Sequence, residues 1–347
     1  MSKVETETAA SAKGHAPDES APGPDTSRSW VQIISAQGIL IAFAVFLLGF
    51  GLFSDRFLSF ENMESVLRSS SIIGVMALGV TVVVLSGNLD LSVGSMLSFG
   101  TVMVVDLHDK IGAAPAMGVM MVAVLALGCI NGFLVGILKL NSLIVTLGML
   151  SAIQGLTLIY SGGQNVDIAP STQSTTWFRV FGRGDIAGLD MPIIIFAVLA
   201  ILLHCAIAFT AYGRRVYAVG GNPTAAVFSG IRRGRVVFST YVISAACVGF
   251  ASIILGSRVM GSQNNVGQGY ELLVLAGVIL GGTSLLGGSG SIFKTVVGVL
   301  ILGFIQNGLL LMGYPYYAQW IVTWIVIILA VWLDIAGKRG RLFSPIA

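Results

Sequence analysis

The chain has 347 residues, of which 55% are hydrophobic and only 10% are charged, with a net charge of +3. An average soluble domain carries roughly 25% charged residues, so this composition excludes a soluble enzyme or binding module. The small net charge gives no signal for nucleic-acid binding. We expect an all-α polytopic membrane protein.

The two ends of the chain differ from its middle. Residues 1–29 are polar and rich in Ala, Ser, Pro and acidic residues, which predicts a disordered cytoplasmic tail. The apolar run that begins at Val31 is too long for a secretory signal peptide and lacks a small-residue cleavage site. We expect residues 30–336 to form the transmembrane domain and residues 337–347 a cytoplasmic C-terminal tail.

Ten apolar segments predict about ten transmembrane helices. They are Val31–Phe53, Ser71–Leu85, Leu91–Val105, Ile111–Leu138, Ser142–Tyr160, Pro192–Ala211, Val237–Leu255, Leu272–Gly282, Ser291–Met312 and Gln319–Leu333. A straight span needs about 20 apolar residues. The second, third and eighth segments are shorter, which predicts short or broken helices packed inside the bundle.

The charged residues agree with this count. With the N-terminal tail in the cytoplasm, alternating spans put residues 54–70 and 161–191 outside and residues 212–236 inside. The 212–236 loop contains Arg214, Arg215, Arg232, Arg233 and Arg235 and no acidic residue. Basic loops favour the cytoplasmic side of a membrane. Because the middle of this loop is small, helix-compatible and too polar for lipid, we predict that a soluble partner grips it.

Two stretches interrupt apolar runs in a similar way. Ser86–Ser95 and Gly281–Ser291 are both rich in Gly and Ser with one or two further polar groups. Transporters built from repeated halves carry broken helices in corresponding positions. An internal repeat of two halves is therefore one interpretation, and a chance likeness is the other.

Asp90 is a carboxylate flanked by Leu89 and Leu91 between two apolar segments, where an unpaired charge is costly. One interpretation places it in or beside a transport pathway. In the other, Asp90 or Ser92 accepts hydrogen bonds from the first N–H groups of a helix that starts at Leu91. The two roles are compatible.

Other polar side chains lie within or beside the apolar segments. Amides donate and accept hydrogen bonds, which suits the hydroxyls of a neutral polyol. The alternative is interhelical hydrogen bonding, each bond being worth about 0.6 kcal/mol. With Asp90, the candidate pathway residues are Asn88, Ser92, Asn141, Thr146, Gln154, Gln306 and Asn307.

The glycine-rich run Gly281–Ser291 is not a nucleotide-binding loop. Phe293 precedes Lys294 where such a loop requires Gly, and the surroundings are apolar. The sequence also offers no nucleophile–base pair or metal-ligand set. We expect no catalytic residue, metal or cofactor in this chain, and no enzymatic activity of its own.

Four stretches resemble signatures of the permease subunits of ABC-type monosaccharide importers, of the ribose, arabinose and xylose kind. Ser86–Ser95 is similar to G-x-x-D-L-S-V-G-S, and Gly220–Ile231 to G-G-N-x-x-A-A-x-x-S-G-I. Gly281–Ser291 is similar to G-G-x-S-L-x-G-G-x-G-S, and Asn141–Met149 to N-x-x-I-x-T-L. The resemblance runs from about residue 60 to 335. Asn88 departs from the family pattern, and Pro223 and Thr224 replace a common Glu pair, which blurs the identity of the partner.

The resemblance implies a subunit of an importer that moves a pentose or hexose across the bacterial inner membrane. A separate ATPase subunit would bind ATP and Mg and grip Gly220–Ile231 as a coupling helix. The implied coupling residues are Gly220, Gly221, Asn222, Ala225, Ala226, Ser229 and Gly230. A periplasmic sugar-binding protein would deliver the substrate, and a second permease copy, in a homodimer, would complete the pathway.

The leading alternative is a secondary carrier for a small neutral solute, coupled to protons or sodium. Such a carrier is expected to bury several ionisable residues within its spans. This chain offers Asp90, Glu271 and Lys294. An intramembrane enzyme is a weaker alternative, because the catalytic constellation is missing. The sequence leaves the identity of the sugar or polyol open, since recognition of neutral hydroxyls leaves no charge signature.

Overall fold

A computed structural model of the protein describes residues 47–52, 56–315 and the positions 317, 321, 324, 325 and 328. Its helices are α1 (Phe60–Leu85), α2 (Val93–Ile111), α3 (Ala113–Gly132, continued by a π-helical turn, Phe133–Ile137), α4 (Ser142–Ser161), α5 (Pro170–Gln173), α6 (Val180–Arg183), α7 (Met191–Phe209), α8 (Ala211–Gly221), α9 (Pro223–Phe228), α10 (Arg233–Val259), α11 (Tyr270–Leu280) and α12 (Ile292–Leu311). A 3-10 turn spans Trp177–Arg179, and residues 47–52 are also helical. The tails predicted at 1–29 and 337–347, and most of the first and last predicted spans, lie outside the described residues.

Six helices of the described part are long and apolar enough to cross a membrane. They are α1, α3 with its π-helical turn, α4, α7, α10 and α12. The helix α2 carries Asp106, His108, Asp109 and Lys110 near its C-terminal end, and α11 is apolar but has only 11 residues. The prediction of a mostly helical, multi-pass membrane protein is confirmed. The count of about ten spans stays a prediction.

The predicted start of the second segment is wrong by about three turns. The second segment was expected to be a short helix over Ser71–Leu85, but α1 has 26 residues and begins at Phe60. The hydroxyl of Ser59 caps α1 by accepting a hydrogen bond from Asn62 N at 3.3 Å. The first turns of α1 carry Glu61, Glu64 and Arg68, which lower the local hydropathy without preventing a helix. The third segment was also expected to be short, but α2 has 19 residues and continues to Ile111. The prediction that α11 is short is confirmed.

The fold also contains four two-residue strands, so it is not strictly all-α. Val166–Asp167 pairs antiparallel with Gly261–Ser262, and Asp185–Ile186 pairs antiparallel with Leu189–Asp190. Both pairs lie in connections between long helices. The first pair joins the 162–190 connection to the segment after α10, and the second is a hairpin within the connection.

The helix α10 lies at the centre of the bundle and packs against α1, α2 and α3. Glycines allow the close approach: a Cβ added at Gly79 would lie 2.8 Å from Ser244 Cα, and one at Gly132 would lie 2.7 Å from Phe238 O. The Tyr241 side chain is fully buried on α10. Glycines at the helix contacts therefore allow close backbone approach beside a large buried side chain.

Loops predicted on the same side of the membrane lie at the same end of the bundle. At one end, Leu89 N donates to Ser142 Oγ at 3.2 Å, and Gly288 N donates to Leu85 O at 3.0 Å. Because α9 also lies there, we name it the α9 end. The helix alternation therefore agrees with the predicted topology among the described residues.

The other end, which we name the opposite end, holds the 162–190 connection. Ala169 N donates to Asp109 Oδ2 at 2.7 Å, and an ion pair joins Arg68 to Asp190 at 3.3 Å. Both contacts tie this connection to α1 and α2. Which end faces the cytoplasm stays a prediction.

Candidate coupling surface and polar cavities

Three glycine-rich signatures of the sequence meet at the α9 end. Gly220, at the end of α8, lies against Leu85 and Gly288, and a Cβ added at Gly220 would stand 2.6 Å from Gly288 N. A Cβ at Gly287 would lie 2.6 Å from Gly87 Cα. Gly87, Gly287 and Gly288 also have positive φ angles of 79°, 87° and 69°, which side chains rarely adopt. We call Gly87, Gly220, Gly287 and Gly288 the glycine junction.

The helix α8 is also tied to the Gly281–Ser291 loop by a side chain. The Tyr217 hydroxyl donates to Gly290 O at 2.9 Å. Burial raises the pKa of the Tyr217 phenol, so it stays protonated and remains a donor at neutral pH. A displacement of α8 must therefore move this loop, or break both the hydrogen bond and the glycine junction.

The short helix α9 projects from this junction. Asn222 caps it, with its Oδ1 accepting from Ala225 N at 2.9 Å, and Pro223 occupies the first turn. Gly230, with φ of 81°, follows the helix in the left-handed region. The sequence therefore specifies α9 at both ends, as its helix-compatible composition predicted.

The free face of α9 differs from the predicted one. Of the predicted coupling residues, Gly221, Asn222, Ala225, Ser229 and Gly230 are exposed, and Gly220 and Ala226 are buried. Ala226 is only 4% exposed and belongs to the chain's own core, so its side chain faces the bundle, and its role in coupling stays a prediction. Val227 and Phe228 are 54% and 88% exposed. Sequence reasoning did not identify Val227 and Phe228, although residues one and two positions after Ala226 face other sides of a helix.

Positive charge surrounds the exposed apolar tip of α9. Arg214, Arg215, Arg232, Arg233 and Arg235 are all exposed, and none forms an ion pair within the described residues. The sequence has no acidic residue between Asp190 and Glu271. This surface can bind a partner that offers an apolar pocket rimmed with carboxylates.

Asp90 is the centre of a buried hydrogen-bond network near the same end. The residue is 3% exposed, and its Oδ1 accepts from Ser92 N at 3.2 Å and Ser92 Oγ at 2.6 Å. Its Oδ2 accepts from Ser244 Oγ, on α10, at 3.0 Å. Asn131 Nδ2, on α3, donates to Ser92 Oγ at 2.8 Å. The carboxylate thereby joins the start of α2 to two other helices.

The hydrogen bonds of Asp90 bear on the prediction that Asp90 or Ser92 caps the following helix. The helix α2 begins at Val93 rather than Leu91, and the Ser92 side chain makes no capping hydrogen bond. Asp90 instead accepts from Ser92 N, just before the helix. Asp90 and Ser92 line neither of the two cavities described below, so their contact with a transport pathway stays a prediction.

Three further candidate pathway residues make local hydrogen bonds. The Asn88 amide donates to Ser86 O at 3.1 Å, and the Asn141 side chain caps α4 by accepting from Leu143 N at 3.0 Å. Thr146 is buried and donates back to Ser142 O at 2.9 Å. These bonds fix loop and helix geometry, and pathway contact by these residues stays a prediction.

Two cavities contain the remaining candidates. The first cavity, of about 250 Å³, lies between α1, α11 and α12 and includes Gln306 and Asn307. Asn307 exchanges two hydrogen bonds with Asn62, at 2.8 and 2.9 Å. The second cavity, of about 130 Å³, includes Gln154. Its complete lining is Ser95, Leu150, Gln154, Asn265, Gln268 and Glu271. The described residues contain no group of three His, Cys, Asp or Glu that could hold a metal.

Comparison with known proteins gives consistent matches along most of the chain. Residues 62–331 match the family described as branched-chain amino acid transport system / permease component. The ribose import permease protein RbsC of Escherichia coli (strain K12) is 34% identical over 309 residues, covering 89% of this chain and 95% of that protein. RbsC of Bacillus subtilis (strain 168) is 37% identical over 287 residues, covering 81% and 87%.

An arabinose permease matches to a similar extent. The L-arabinose transport system permease protein AraH of Escherichia coli (strain K12) is 33% identical over 321 residues, covering 92% of this chain and 96% of that protein. No solved structure matches the chain. The resemblance inferred from the four signatures is confirmed, and the chain belongs to this family of transport permease components, with ribose and arabinose ABC permeases among its relatives.

Proposed function

We propose that this chain is the transmembrane permease subunit of an ATP-driven importer of a monosaccharide. The relatives described above are permeases for ribose and arabinose, which favours a pentose. The family description names branched-chain amino acids instead. The chemistry of the cavities helps to choose between these substrate classes.

An amino acid zwitterion needs a cationic or N–H-rich site for its carboxylate. Neither cavity is lined by Lys, Arg or His in the described part of the chain. The linings offer amides, hydroxyls and one carboxylate, which suit the hydroxyls of a neutral sugar. This composition supports sugar transport over amino acid transport.

ATP binding and hydrolysis belong to a separate ATPase subunit, which docks on α8 and α9 from the cytoplasm. The glycine junction is the observation that carries this proposal, because it leaves no space between Gly220, Leu85 and Gly288. A push on α9 reaches the end of α1 and the loop before α12 through direct backbone contact. Alternating access follows as one part of the bundle tilts against another.

The remaining features of the importer follow from this arrangement. The α9 end faces the cytoplasm with both chain termini, and about ten helices cross the bacterial inner membrane. A periplasmic sugar-binding protein delivers the substrate at the opposite end. A second copy of the permease completes the pathway as a homodimer.

Removing the exposed aromatic ring of α9 tests the docking. The permease is coexpressed with the ATPase subunit encoded beside it and is recovered in detergent through an affinity tag. Phe228→Ala is expected to lower the recovered ATPase roughly thirtyfold, because truncating a central aromatic anchor costs about 2 kcal/mol. Phe60→Ala is the matched control, since Phe60 is also exposed (74%) but lies at the start of α1, at the opposite end. Equal recovery with both variants would show that α9 is not the docking element.

A further inference from the structure

Five of the six residues that line the second cavity have polar side chains. Ser95 comes from the start of α2, Leu150 and Gln154 from α4, Asn265 and Gln268 from the connection after α10, and Glu271 from the first turn of α11. Only Leu150 is apolar. Four separate segments of the chain thus bring polar side chains to one small space.

Glu271 is the one ionisable group of this cavity, and it has unused hydrogen-bonding capacity. It is half-buried, and its two oxygens both accept from Gly269 N at 3.2 Å. No basic side chain of the described residues lies within ion-pair distance of it. A carboxylate offers about four acceptor positions. The backbone N–H groups of Gly269 and of Glu271 itself occupy part of this capacity, and the rest is available to a ligand.

A glycine makes room for this carboxylate. A Cβ added at Gly94 would overlap Glu271 Oε2 and would lie 2.6 Å from Gly267 O. Gly94 and Ser95 belong to the Ser86–Ser95 signature, so the signature shapes one wall of the cavity. The sequence showed Gly94 only as part of that motif.

The amides of the cavity are held in place by the 263–269 connection. Gln154 Nε2 donates to Asn264 O at 2.9 Å, and Asn265 Nδ2 lies 3.5 Å from Gln268 Oε1. Within the described residues, the Gln154 carbonyl oxygen and the Gln268 amide nitrogen make no further hydrogen bond. The cavity therefore offers the Gln154 carbonyl oxygen as an acceptor and the Gln268 amide as a donor.

We propose that the second cavity binds the transported sugar directly and that Glu271 makes it select neutral sugars over anionic ones. This inference rests on the proposed function. Sugar hydroxyls donate to Glu271 and to the Gln154 carbonyl oxygen and accept from the Gln268 amide. The apolar face of the ring lies against Leu150. A sugar acid is repelled, because its carboxylate meets that of Glu271 where no cation compensates.

The first cavity has no ionisable lining residue, so it offers no carboxylate that distinguishes neutral from anionic sugars. Its amide Asn307 is already paired with Asn62 in both directions. Six of its twelve lining residues are aliphatic: Val66, Ile73, Leu273, Val299, Leu302 and Leu310.

Protection of a cysteine in the cavity tests the proposal in the permease alone. In the full chain with Cys129 and Cys205 changed to Ser and Cys247 to Ala, Gln268→Cys is labelled with a maleimide in detergent. Leu150→Cys is labelled in parallel, so that loss of the Gln268 amide does not decide the result. Ribose, arabinose and glucose are added separately at high concentration, and glucuronate and leucine serve as competitors. Phe60→Cys, outside the cavity, is the matched control.

At least one neutral sugar is expected to slow labelling in the cavity threefold or more, while glucuronate, leucine and the control position show no effect. Adding Glu271→Gln to Leu150→Cys should weaken protection by the neutral sugar and let glucuronate protect equally well. The proposal would be overturned if no sugar slowed labelling at either cavity position. It would also be overturned if glucuronate or leucine protected as well as a neutral sugar while Glu271 is unchanged. Because no ATPase is present, this result is independent of the docking experiment with Phe228→Ala.

Discussion

The backbone N–H of Gly288 donates to the carbonyl oxygen of Leu85 at 3.0 Å, and this bond joins the Gly281–Ser291 signature to the residue just before the Ser86–Ser95 signature. Gly220 completes the contact from α8, against both residues. The helix α8, which leads into α9, therefore packs between the end of α1 and the loop that leads into α12. Mutations at this contact should impair the transmission of movement through the bundle without preventing a partner from docking.

Gly220→Ala should destabilise the protein by about 1–3 kcal/mol through overpacking. The new methyl group would stand 2.6 Å from Gly288 N and would overlap the Leu85 carbonyl oxygen. The melting temperature in detergent measures the effect. Gly221→Ala is the matched control, because its methyl group would lie no closer than 3.8 Å, to Gly288 Cα, and should change little. Equal melting of the two variants would contradict the close contact at Gly220.

Asp90→Ala should lower stability more than Ser244→Ala does. Removing the carboxylate deprives Ser92 N and the Ser92 and Ser244 hydroxyls of their acceptor, and each unsatisfied buried group costs about 1–3 kcal/mol. Ser244→Ala removes only one of these bonds. Urea or thermal unfolding of the purified variants gives the comparison. A melting curve of Asp90→Ala equal to that of the unmodified protein would make the network incidental to folding.

Ser257→Ala should loosen the 162–190 connection without unfolding the bundle. The Ser257 hydroxyl accepts from Gly182 N at 2.8 Å and donates to Phe178 O, so its loss deprives the buried Gly182 N of this acceptor and Phe178 O of one of its donors. Hydrogen exchange of peptides covering residues 177–183 should accelerate about tenfold or more, since tenfold corresponds to about 1.4 kcal/mol. Ser161→Ala, at a half-buried site where the hydroxyl makes only a 3.4 Å bond to Leu158 O, is the control. Unchanged exchange would show that other contacts hold the connection.

The contact of Asp109 with the same connection should depend on pH. Burial alone would raise the pKa of Asp109, but hydrogen bonds from Ala169 N and His108 outweigh it and hold the pKa below the ordinary 3.8. The folded-state pKa is therefore lower than the unfolded one. The stabilisation is present above pH 3.8 and is lost as the pH falls through the lowered pKa.

Limited proteolysis of the 162–190 connection between pH 6 and pH 3 measures this loss, using a protease active over that range. Cleavage should increase at the acid end in the unmodified protein. Asp109→Asn removes the titration, so its cleavage should be high and nearly independent of pH. A variant that follows the same pH profile as the unmodified protein would assign the effect to another group.

The sequence was sufficient for the class of fold, the alternation of the described helices and the presence of α9. Hydropathy fixes the apolar stretches, and the cap at Asn222 and the turn at Gly230 are readable locally. The length of α1 was underestimated, because Glu61, Glu64 and Arg68 lower the hydropathy of a segment that is nevertheless helical. Helix formation tolerates these charges where the helix emerges from the bundle.

The candidate site was only partly predictable. Signatures indicated that Gly87, Gly220 and Gly288 matter, but nothing in their spacing shows that they touch. Which face of α9 is exposed depends on how the helix packs against the bundle. Ala226 was therefore assigned to the surface, and Phe228 was not identified. Asn265 and Gln268 lie in a polar connection, where amides are ordinary, and only the tertiary fold turns them toward Glu271.

The shortness of α11 has a consequence for the barrier that a polar solute faces. A helix of 11 residues rises about 16 Å, roughly half of the 30 Å thickness of the hydrocarbon layer. One end of α11 must then stop at a depth where peptide groups need water or protein partners. If water fills this depth, the insulating layer beside α11 is only about half as thick as the surrounding bilayer. The electrical and solvation energy needed to move a polar solute across the membrane would then be spent within that thin layer. Small helix movements there could open or close the path of the solute.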